Sequence, residues 1–378
     1  MRLKRRRRAQ VSGWRVMRRC VIFFTAICVI PVLLVLMVAT DRYLQPVRHQ
    51  TQYMHRQVSE VGKIQAGSLT NKNMSLISKR LENRKRHMKI MCKLLGLDRP
   101  GNDSLHRPNS WEFLVDNKHH LIWCNVFKAA STSWMYNFNI LAGYSPKFLK
   151  KSKLVPMTLA RQKYPRPSLE DLRKAFNTSI SFLVARHPLE RLLSAYRDKL
   201  QYALPHTHHK KLGNEIIMKY RYKKNKKLSP TQRSPTFSEF VEYLVDSVKN
   251  REQLDMHWAP IVEFCTPCMF NFQVIAHVET LQEDQMYLIK IAKLEHLIQP
   301  EWKNAGRGAT QNQIGRYYSE LTRSQIFQLY HIYRYDFELF NYSLHGYLEY
   351  GIPDNDPSSL LAAISMKDFQ QNDLPKVY

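Results

Sequence analysis

Two segments with the same local pattern constrain the fold of this chain more than any other feature. Residues 123–134 and 182–197 each begin as an apolar strand, pass through a short polar turn and continue as a helix. This arrangement directs backbone N–H groups and a helix N-terminus towards one place, where proteins bind anions. The first turn adds Lys128 and three hydroxyl residues, and the second adds Arg186 and Ser194. Two phosphate-sized sites in tandem indicate a doubly phosphorylated nucleotide.

Apolar segments with strand and helix patterns alternate from residue 121 to residue 340. Short apolar runs predict strands at residues 121–127, 180–185 and 272–278. Helical spacing predicts helices at residues 79–95, 132–141, 189–201, 236–248, 281–294 and 324–340. Because such alternation is typical of a parallel sheet, the predicted fold is α/β, with a P-loop-like parallel sheet flanked by helices.

The N-terminal region contains one long uncharged segment. Residues 21–40 carry no charged side chain, and a helix of this length spans about 30 Å, the thickness of a hydrocarbon core. Nine Lys and Arg residues and no acidic residue precede it in residues 1–20. The positive-inside rule therefore predicts a cytosolic tail at residues 1–20, a single transmembrane helix at 21–40 and a lumenal remainder. A cleaved signal peptide, the alternative, would have a shorter apolar core of about 7–15 residues.

The lumenal part divides by composition into three regions. Residues 41–88 are polar without strong periodicity, which is typical of a stem that holds a domain off the membrane. Residues 89–346 are numerous enough for one sizeable domain. Residues 347–378 form a C-terminal tail. The sequence leaves the oligomeric state open.

The chain is strongly basic. Removing the nine N-terminal charges from the formal net charge of +27 leaves about +18 for the rest, which favours polyanionic partners. A lumenal location argues against nucleic acid, so an acidic glycan or proteoglycan and a phosphorylated donor are the expected anions. Part of the charge lies in a basic insertion, for which we expect a solvated mobile loop, with a polyanion contact surface as the alternative. The insertion contains Lys210, Lys211, Lys219, Arg221, Lys223, Lys224, Lys226 and Lys227.

Four cysteines would be lumenal, where disulfides persist. They are Cys92, Cys124, Cys265 and Cys268, and they allow three pairings, among which the sequence does not choose. One CxxC with only His257 and His277 nearby is a poor zinc site, so we expect disulfides and no metal. Four N-x-S/T sequons agree with a glycosylated lumenal protein, at Asn73, Asn102, Asn177 and Asn341.

The turn at residues 128–133 has no glycine and is therefore not a Walker A loop, which makes a nucleotide kinase a poor fit. A lysine followed by hydroxyl residues resembles the 5′-phosphosulfate loop of sulfotransferases instead. An arginine at a strand end, with a serine eight residues later, resembles their 3′-phosphate site. The resemblance implies 3′-phosphoadenosine 5′-phosphosulfate as the co-substrate. It also implies donor-binding positions at Lys128, Ala129, Ala130, Ser131, Thr132, Ser133, Trp134, Arg186 and Ser194.

Further segments narrow this resemblance. Residues 186–199 resemble the RxPxERLxSAYRxK signature of Golgi carbohydrate sulfotransferases of the HNK-1 / chondroitin 4-O-sulfotransferase family. That family's HW, CxPC, ET and terminal-helix elements follow in order, at residues 257–260, 265–268, 278–281 and 335–340. The resemblance extends over about residues 90–345. The loop departs from the common PKxxCTNW pattern at Phe127, Ser131 and Ser133, so the resemblance leaves the acceptor sugar open.

The resemblance implies a Golgi-membrane, single-pass type II enzyme with a lumenal sulfotransferase fold. It would transfer a sulfuryl group to a glycan hydroxyl, and the first candidate acceptor is the 4-hydroxyl of N-acetylgalactosamine in chondroitin or dermatan. Alternatives are another terminal sugar, such as glucuronate at its 3-hydroxyl, and an inactive glycan-binding protein of the same fold. Lys128 is expected to stabilise the leaving oxygen. His257 is the first candidate general base and Glu279 the second, whereas His187 would be structural or a phosphate neighbour.

Overall fold

A four-stranded mixed sheet lies at the centre of the computed structural model, which describes residues 71–222, 233–300, 310–356 and 358. The strands follow the order β1 (Phe113–Asp116), β2 (Leu121–Cys124), β3 (Ile180–Ala185) and β4 (Val274–His277). β2, β3 and β4 are parallel, as predicted, and β1 is an antiparallel edge strand that the sequence patterns miss. β2 and β4 are buried throughout, which is typical of parallel strands covered on both faces by helices.

Helices surround this sheet. The helices predicted at residues 132–141, 189–201, 236–248 and 281–294 are found within about five residues of their predicted bounds, whereas seven of the α-helices in the described part of the chain were not predicted. The α-helices are α1 (Asn71–Leu94), α2 (Ser131–Leu141), α3 (Pro146–Lys151), α4 (Pro156–Lys163), α5 (Leu169–Thr178), α6 (Pro188–Tyr196), α7 (His208–Ile217), α8 (Phe237–Lys249), α9 (Ile261–Cys265), α10 (Leu281–Ile291), α11 (Ile314–Tyr318), α12 (Arg323–Ile332), α13 (Arg334–Leu339) and α14 (His345–Leu348). π-helical turns cover Arg197–Gln201 and Met218–Tyr222, and 3-10 turns cover Pro267–Met269, Val278–Thr280 and Thr310–Gln313.

The predicted late helix at residues 324–340 is two helices, α12 and α13. Tyr333 separates them with a non-helical backbone (φ −103°). Its hydroxyl donates a 2.6 Å hydrogen bond to the carbonyl of Trp258, and its ring is fully buried. A tertiary contact therefore interrupts a segment whose apolar spacing is continuous.

The helix α1 corrects the predicted domain boundary. It begins at Asn71, and Ile77, Leu81, Met88 and Cys92 from one of its faces enter the core. Residues 71–88, assigned to the stem from their polar composition, thus belong to the globular unit. The predicted anchor at residues 21–40 lies outside the described residues. Among the helices that the structure describes, none is both long and apolar enough to cross a membrane.

The basic insertion is ordered where it is described. It forms α7 and a π-helical turn, and Leu212, Ile216 and Tyr220 are buried in the core beside α8. Arg221 forms an ion pair with Glu239 at 2.7 Å, and both side chains are buried. The expectation of a solvated loop is therefore wrong for residues 208–222. Lys223, Lys224, Lys226 and Lys227 lie outside the described residues.

Two disulfides connect the four cysteines in the described part of the chain. Cys92 pairs with Cys268, and Cys124 pairs with Cys265. The prediction of disulfides is confirmed, and the structure selects one of the three pairings that the sequence allows. The first bond attaches α1 to the turn after α9, and the second attaches the end of β2 to α9. Because each closes a long loop, both reduce the conformational freedom of the unfolded chain.

A buried carboxylate attaches α1 to α10. Asp284 receives hydrogen bonds of 2.7 Å from Arg80, Arg84 and Thr280, and one of 3.0 Å from the backbone of His277. Burial would raise the pKa of Asp284, but Arg84 and Arg80 outweigh it and hold the pKa below its usual value. The carboxylate is therefore ionised at neutral pH, and the interaction unites elements about 200 residues apart in sequence.

We predict that Asp284→Ala lowers the free energy of unfolding by about 3–5 kcal/mol, because removing one partner leaves buried charge uncompensated. Urea unfolding monitored by tryptophan fluorescence measures the change. Glu170→Ala is the matched control, since it breaks the exposed Glu170–Lys174 pair, for which we expect a loss below about 1 kcal/mol. Equal losses in the two variants would contradict this assignment.

Candidate active site

The β2–α2 turn has an unusual backbone for a loop without glycine. Lys128 (φ 66°) and Ala130 (φ 59°) both adopt the left-handed conformation. Strained residues of this kind concentrate at ligand sites, and such turns direct successive N–H groups into an anion-binding concavity. Ala130 is also the N-cap of α2 and provides no side-chain cap. The helix N-terminus is therefore open to an anion in place of a capping side chain.

The predicted loop residues differ in exposure. Thr132 is exposed and Ser131 is half-buried, whereas Ala129 and Ser133 are buried. Trp134 is 1% exposed, and its ring centroid lies 4.4 Å from that of Phe182 on β3. The side chain of Trp134 therefore supports the turn from within the core, and its place among the donor-binding positions stays a prediction.

Parallel pairing of β2 with β3 brings the second predicted site beside the first. Arg186 follows β3, and its Nη1 donates a 3.2 Å hydrogen bond to the carbonyl of Lys128. Its Nη2 lies 3.4 Å from a carboxylate oxygen of Glu190. Its Nε is buried without a hydrogen-bond partner among the described residues, so the guanidinium keeps donor capacity for a ligand. Ser194 is half-buried two turns along α6, and its hydroxyl makes no hydrogen bond within the described part of the chain.

Glu279 and His187 lie together at the ends of β3 and β4. Glu279 accepts a hydrogen bond from the backbone N–H of His187 at 3.1 Å and another from the hydroxyl of Tyr342 at 2.9 Å. Burial lowers the pKa of His187 to about 4, so its ring is neutral near pH 7. That ring contacts the carbonyl of Ser343 and stacks on Tyr347. These contacts favour the structural role for His187 and leave Glu279 engaged by two donors.

The ammonium group of Lys128 faces the turn that follows α6. Its Nζ lies 3.1 Å from a carboxylate oxygen of Asp198, which also lies 3.3 Å from Nζ of Lys199. Burial lowers the pKa of Lys128, the charges of Lys199 and Arg186 lower it further, and Asp198 opposes the shift. Both Asp198 and Lys199 lie in the π-helical segment Arg197–Gln201, a conformation frequent at functional sites. Sequence reasoning included both residues in a motif without assigning them a role.

His257 lies beside the same turn. Its ring centroid is 4.8 Å from that of Phe127, the residue before Lys128. Its Nδ1 lies 2.6 Å from Asp255, and the second oxygen of Asp255 lies 3.1 Å from Nε2 of His209. Burial lowers the pKa of His257, Asp255 opposes that effect, and Lys199 and His209 contribute to it. The structure thus gathers Lys128, Arg186 and His257, which are far apart in sequence.

Arg191, from the second predicted segment, supports the backbone around His257. Its guanidinium is buried and donates to the carbonyls of His257, at 3.4 Å, and Ala259. Asp336 lies 4.0 Å from Arg191 and accepts from the backbone N–H groups of Ile261 and Val262 at the start of α9. Arg191 belongs to the signature at residues 186–199 and Asp336 to the terminal helix at residues 335–340. Together they hold the HW element at residues 257–260 in place.

His209, Asp255 and His257 also form the one group among the described residues that has the spacing of a metal site. One ligand atom from each lies within 4.8 Å of the others, and imidazole and carboxylate are ligands that zinc accepts. Sequence reasoning missed this group because His209 lies in the insertion, 48 residues before His257. The sequence feature that could have indicated this group is Asp255, a carboxylate two residues before His257.

The four sequons differ in accessibility. Asn102, Asn177 and Asn341 are exposed, so their side chains are accessible to modification. Asn73 lies half-buried in the first turn of α1. Occupancy of all four remains a prediction.

Comparison with known proteins agrees with this geometry. The sulfotransferase family model matches residues 111–343, which include both anion-binding turns and His257. Carbohydrate sulfotransferase 11 of Rattus norvegicus is 29% identical over 248 residues, covering 64% of this chain and 70% of the relative. Carbohydrate sulfotransferase 10 of Xenopus laevis is 29% identical over 243 residues (60% and 66%), and carbohydrate sulfotransferase 14 of Danio rerio is 30% identical over 237 residues (61% and 62%). No solved structure matches the chain. Because the family model covers more than half of its length, including the turns that hold Lys128 and Arg186, this chain belongs to the sulfotransferase family and is a sulfotransferase enzyme.

Proposed function

We propose that this enzyme transfers the sulfuryl group of 3′-phosphoadenosine 5′-phosphosulfate to a hydroxyl of a glycan. The observation that carries the proposal is the meeting of three side chains of suitable chemistry at the carboxyl end of the sheet. Lys128 opens an anion-binding turn, Arg186 adjoins the backbone of that turn, and His257 packs on Phe127 in front of it. Sulfuryl transfer needs three groups: a cation that stabilises the leaving group, a cation that binds the second phosphate of the donor, and a base that accepts the proton of the acceptor hydroxyl.

The donor would occupy the two turns in the order that the family resemblance implies. Residues 128–133 would hold the 5′-phosphosulfate through backbone N–H groups and the hydroxyls of Ser131 and Thr132. Arg186 and Ser194 would hold the 3′-phosphate. The Nε of Arg186, which is buried without a hydrogen-bond partner among the described residues, and the lack of a side-chain cap at Ala130 support this assignment.

The chemistry assigns one step to each of two side chains. A bond forms from the acceptor oxygen to sulfur, the bond from sulfur to the bridging phosphate oxygen breaks, and its electron pair stays on the phosphate. Lys128 would stabilise the charge that develops on that oxygen, an interaction stronger in the transition state than in the ground state. His257 would accept the proton of the acceptor hydroxyl on Nε2, since its Nδ1 faces Asp255. These steps need no metal.

The proposed acceptor is an acidic glycan, with the 4-hydroxyl of N-acetylgalactosamine in chondroitin or dermatan as the first candidate. The matched relatives are named carbohydrate sulfotransferases, which supports a sugar hydroxyl. A net charge of +27 favours a polyanionic chain. The 3-hydroxyl of a terminal glucuronate is the second candidate within the resembled family.

We predict that the purified full-length enzyme transfers label from ³⁵S-labelled donor to unsulfated chondroitin, and that disaccharide analysis finds sulfate at the 4-position of N-acetylgalactosamine. Dermatan, glucuronate-terminated oligosaccharides and a neutral N-glycan complete the acceptor panel. Label on glucuronate alone would select the second candidate. No transfer to any acceptor, in a preparation that binds adenosine 3′,5′-bisphosphate, would support the inactive glycan-binding alternative.

Lys128→Ala and Arg186→Ala should fail in different ways. Without Lys128, we expect kcat to fall about 10²–10³-fold, the usual effect of removing one such stabilising group, while donor KM changes much less. Without Arg186, we expect product affinity to fall about 10–100-fold, as for the loss of a charge-assisted hydrogen bond. Initial rates with varied donor measure the first change, and calorimetry with adenosine 3′,5′-bisphosphate measures the second.

Lys174→Ala is the matched lysine control, since Lys174 is exposed and pairs only with Glu170 among the described residues. Lys128→Arg should restore part of the rate, because the planar guanidinium differs from a compact ammonium. A Lys128→Ala loss confined to donor KM would make Lys128 a binding residue. Product affinity unchanged by Arg186→Ala would place the 3′-phosphate elsewhere.

We further propose a single-pass type II protein of the Golgi membrane, anchored by residues 21–40 with a lumenal catalytic domain. Nine positive charges before this uncharged segment support that orientation. In intact Golgi vesicles, protease should spare everything after the anchor, and endoglycosidase should shift the band if the sequons are occupied. Digestion of the catalytic domain in sealed vesicles would contradict the topology.

A further inference from the structure

Asp255 contacts His257 in a way that goes beyond ordinary packing. One of its oxygens accepts the backbone N–H of His257 at 2.8 Å and lies 2.6 Å from Nδ1 of the same residue. The backbone bond places the carboxylate relative to the main chain, and the ring contact places the imidazole relative to the carboxylate. His257 is therefore held by one side chain at two points, its backbone and its ring.

The other oxygen of Asp255 lies 3.1 Å from Nε2 of His209. His209 is in the first turn of α7, and its ring lies edge-on to those of His257 (5.2 Å) and Trp258 (6.1 Å). Trp258 is buried, so this side of the group is closed. His257, Asp255 and His209 are therefore connected in series by hydrogen bonds. His209, the last of the three, belongs to the insertion between α6 and α8.

This arrangement determines which nitrogen of His257 can act as a base. A carboxylate has no proton to give, so Nδ1 of His257 carries the hydrogen and donates it. The two ring nitrogens lie on different edges of the ring, and Nε2 is therefore unprotonated and turned away from Asp255. Burial would raise the pKa of Asp255, but the hydrogen bonds from His209 and His257 hold it well below its usual value. An anion thus lies ready to stabilise the imidazolium that proton transfer creates.

We propose that Asp255 and His209 are positioning residues for His257, with Asp255 selecting its Nδ1–H tautomer and His209 orienting the Asp255 carboxylate. This inference rests on the proposed function, in which His257 is the general base. Among the described residues, Lys199 and His209 also act on His257, and both lower the pKa of its imidazole while Asp255 raises it. Phe127, which also packs against the ring, is apolar. Asp255 is therefore the anion that sustains the basicity of His257.

Asp255→Asn tests the role of the carboxylate. We expect kcat to fall about 10²–10⁴-fold, as when a general base loses its tautomer partner, with donor KM and adenosine 3′,5′-bisphosphate affinity within about twofold of wild type. Loss of the nearby negative charge should lower the pKa of His257, so the acidic limb of the kcat profile should move to lower pH. In ¹⁵N NMR of histidine-labelled protein, the Nδ1–H signal of His257 should disappear or change tautomer.

Variants of His209 test the outer partner. His209→Ala should lower kcat about 3–10-fold, less than the roughly 10²–10⁴-fold contribution of the general base itself, because His209 acts on the base only through Asp255. His209→Gln, which retains a donor, should recover most of that loss. Asp246→Asn is the matched control, because Asp246 is a half-exposed carboxylate that accepts from Tyr220. That variant should keep the wild-type rate and pH profile. If Asp255→Asn fails to fold, Asp255→Glu and the two His209 variants provide the same readouts.

The outcomes separate this inference from the proposed function. Wild-type turnover with an unchanged rate and pH profile in Asp255→Asn would overturn the inference and leave the function standing. An Nδ1–H tautomer in the wild type that persists in Asp255→Asn would also overturn it, and this measurement does not depend on finding the acceptor. Activity that is abolished by EDTA and restored by Zn²⁺ in the wild type would overturn it as well, because the three side chains would then be metal ligands.

Discussion

Parallel pairing of β2 with β3 is the interaction on which the rest of the site depends. The register places Trp123 beside Phe182 and Cys124 beside Leu183, so both strands end at the same edge of the sheet. Each chain then turns into a helix, and the two turns meet through the hydrogen bond from Arg186 to the carbonyl of Lys128. A slip along either strand would separate the two cationic residues. The distance between the two anion-binding turns is thus a property of the strand register.

The strained β2–α2 turn is held in place by its surroundings. Trp134 packs on Phe182 below the turn, and the Cys124–Cys265 disulfide binds the preceding strand to α9. The segment before α9 contains His257, whose backbone is in turn held by Arg191. The same disulfide therefore stabilises the turn that holds Lys128 and limits how far His257 can move from it. Rigid support of this kind is what keeps a reacting constellation within catalytic geometry.

Local pattern predicted the three parallel strands and the helices that follow them, and long-range pairing decided the details of the site. β3 and α2 were recognisable because burial of a strand or of a helix face leaves a periodic apolar pattern. The edge strand β1 and the order within α7 left no such pattern, since their burial depends on neighbours distant in sequence. The contacts of Asp198 with Lys128 and of His209 with Asp255 join residues 70 and 46 positions apart. Nothing local to either residue encodes these contacts.

Cations gathered at one site would repel each other if they lacked counter-ions. Here Asp198 is a counter-ion shared by Lys128 and Lys199, while Glu190 lies beside Arg186. In the proposed function, the donor phosphates replace these carboxylates, so the binding free energy is a difference between two sets of ion pairs. Lys128 is half-buried, and because burial lowers its pKa, it gains most from an anion close to its ammonium group. Negative charge on the leaving oxygen increases in the transition state. The partial removal of Lys128 from water therefore favours its interaction with that oxygen more in the transition state than in the ground state.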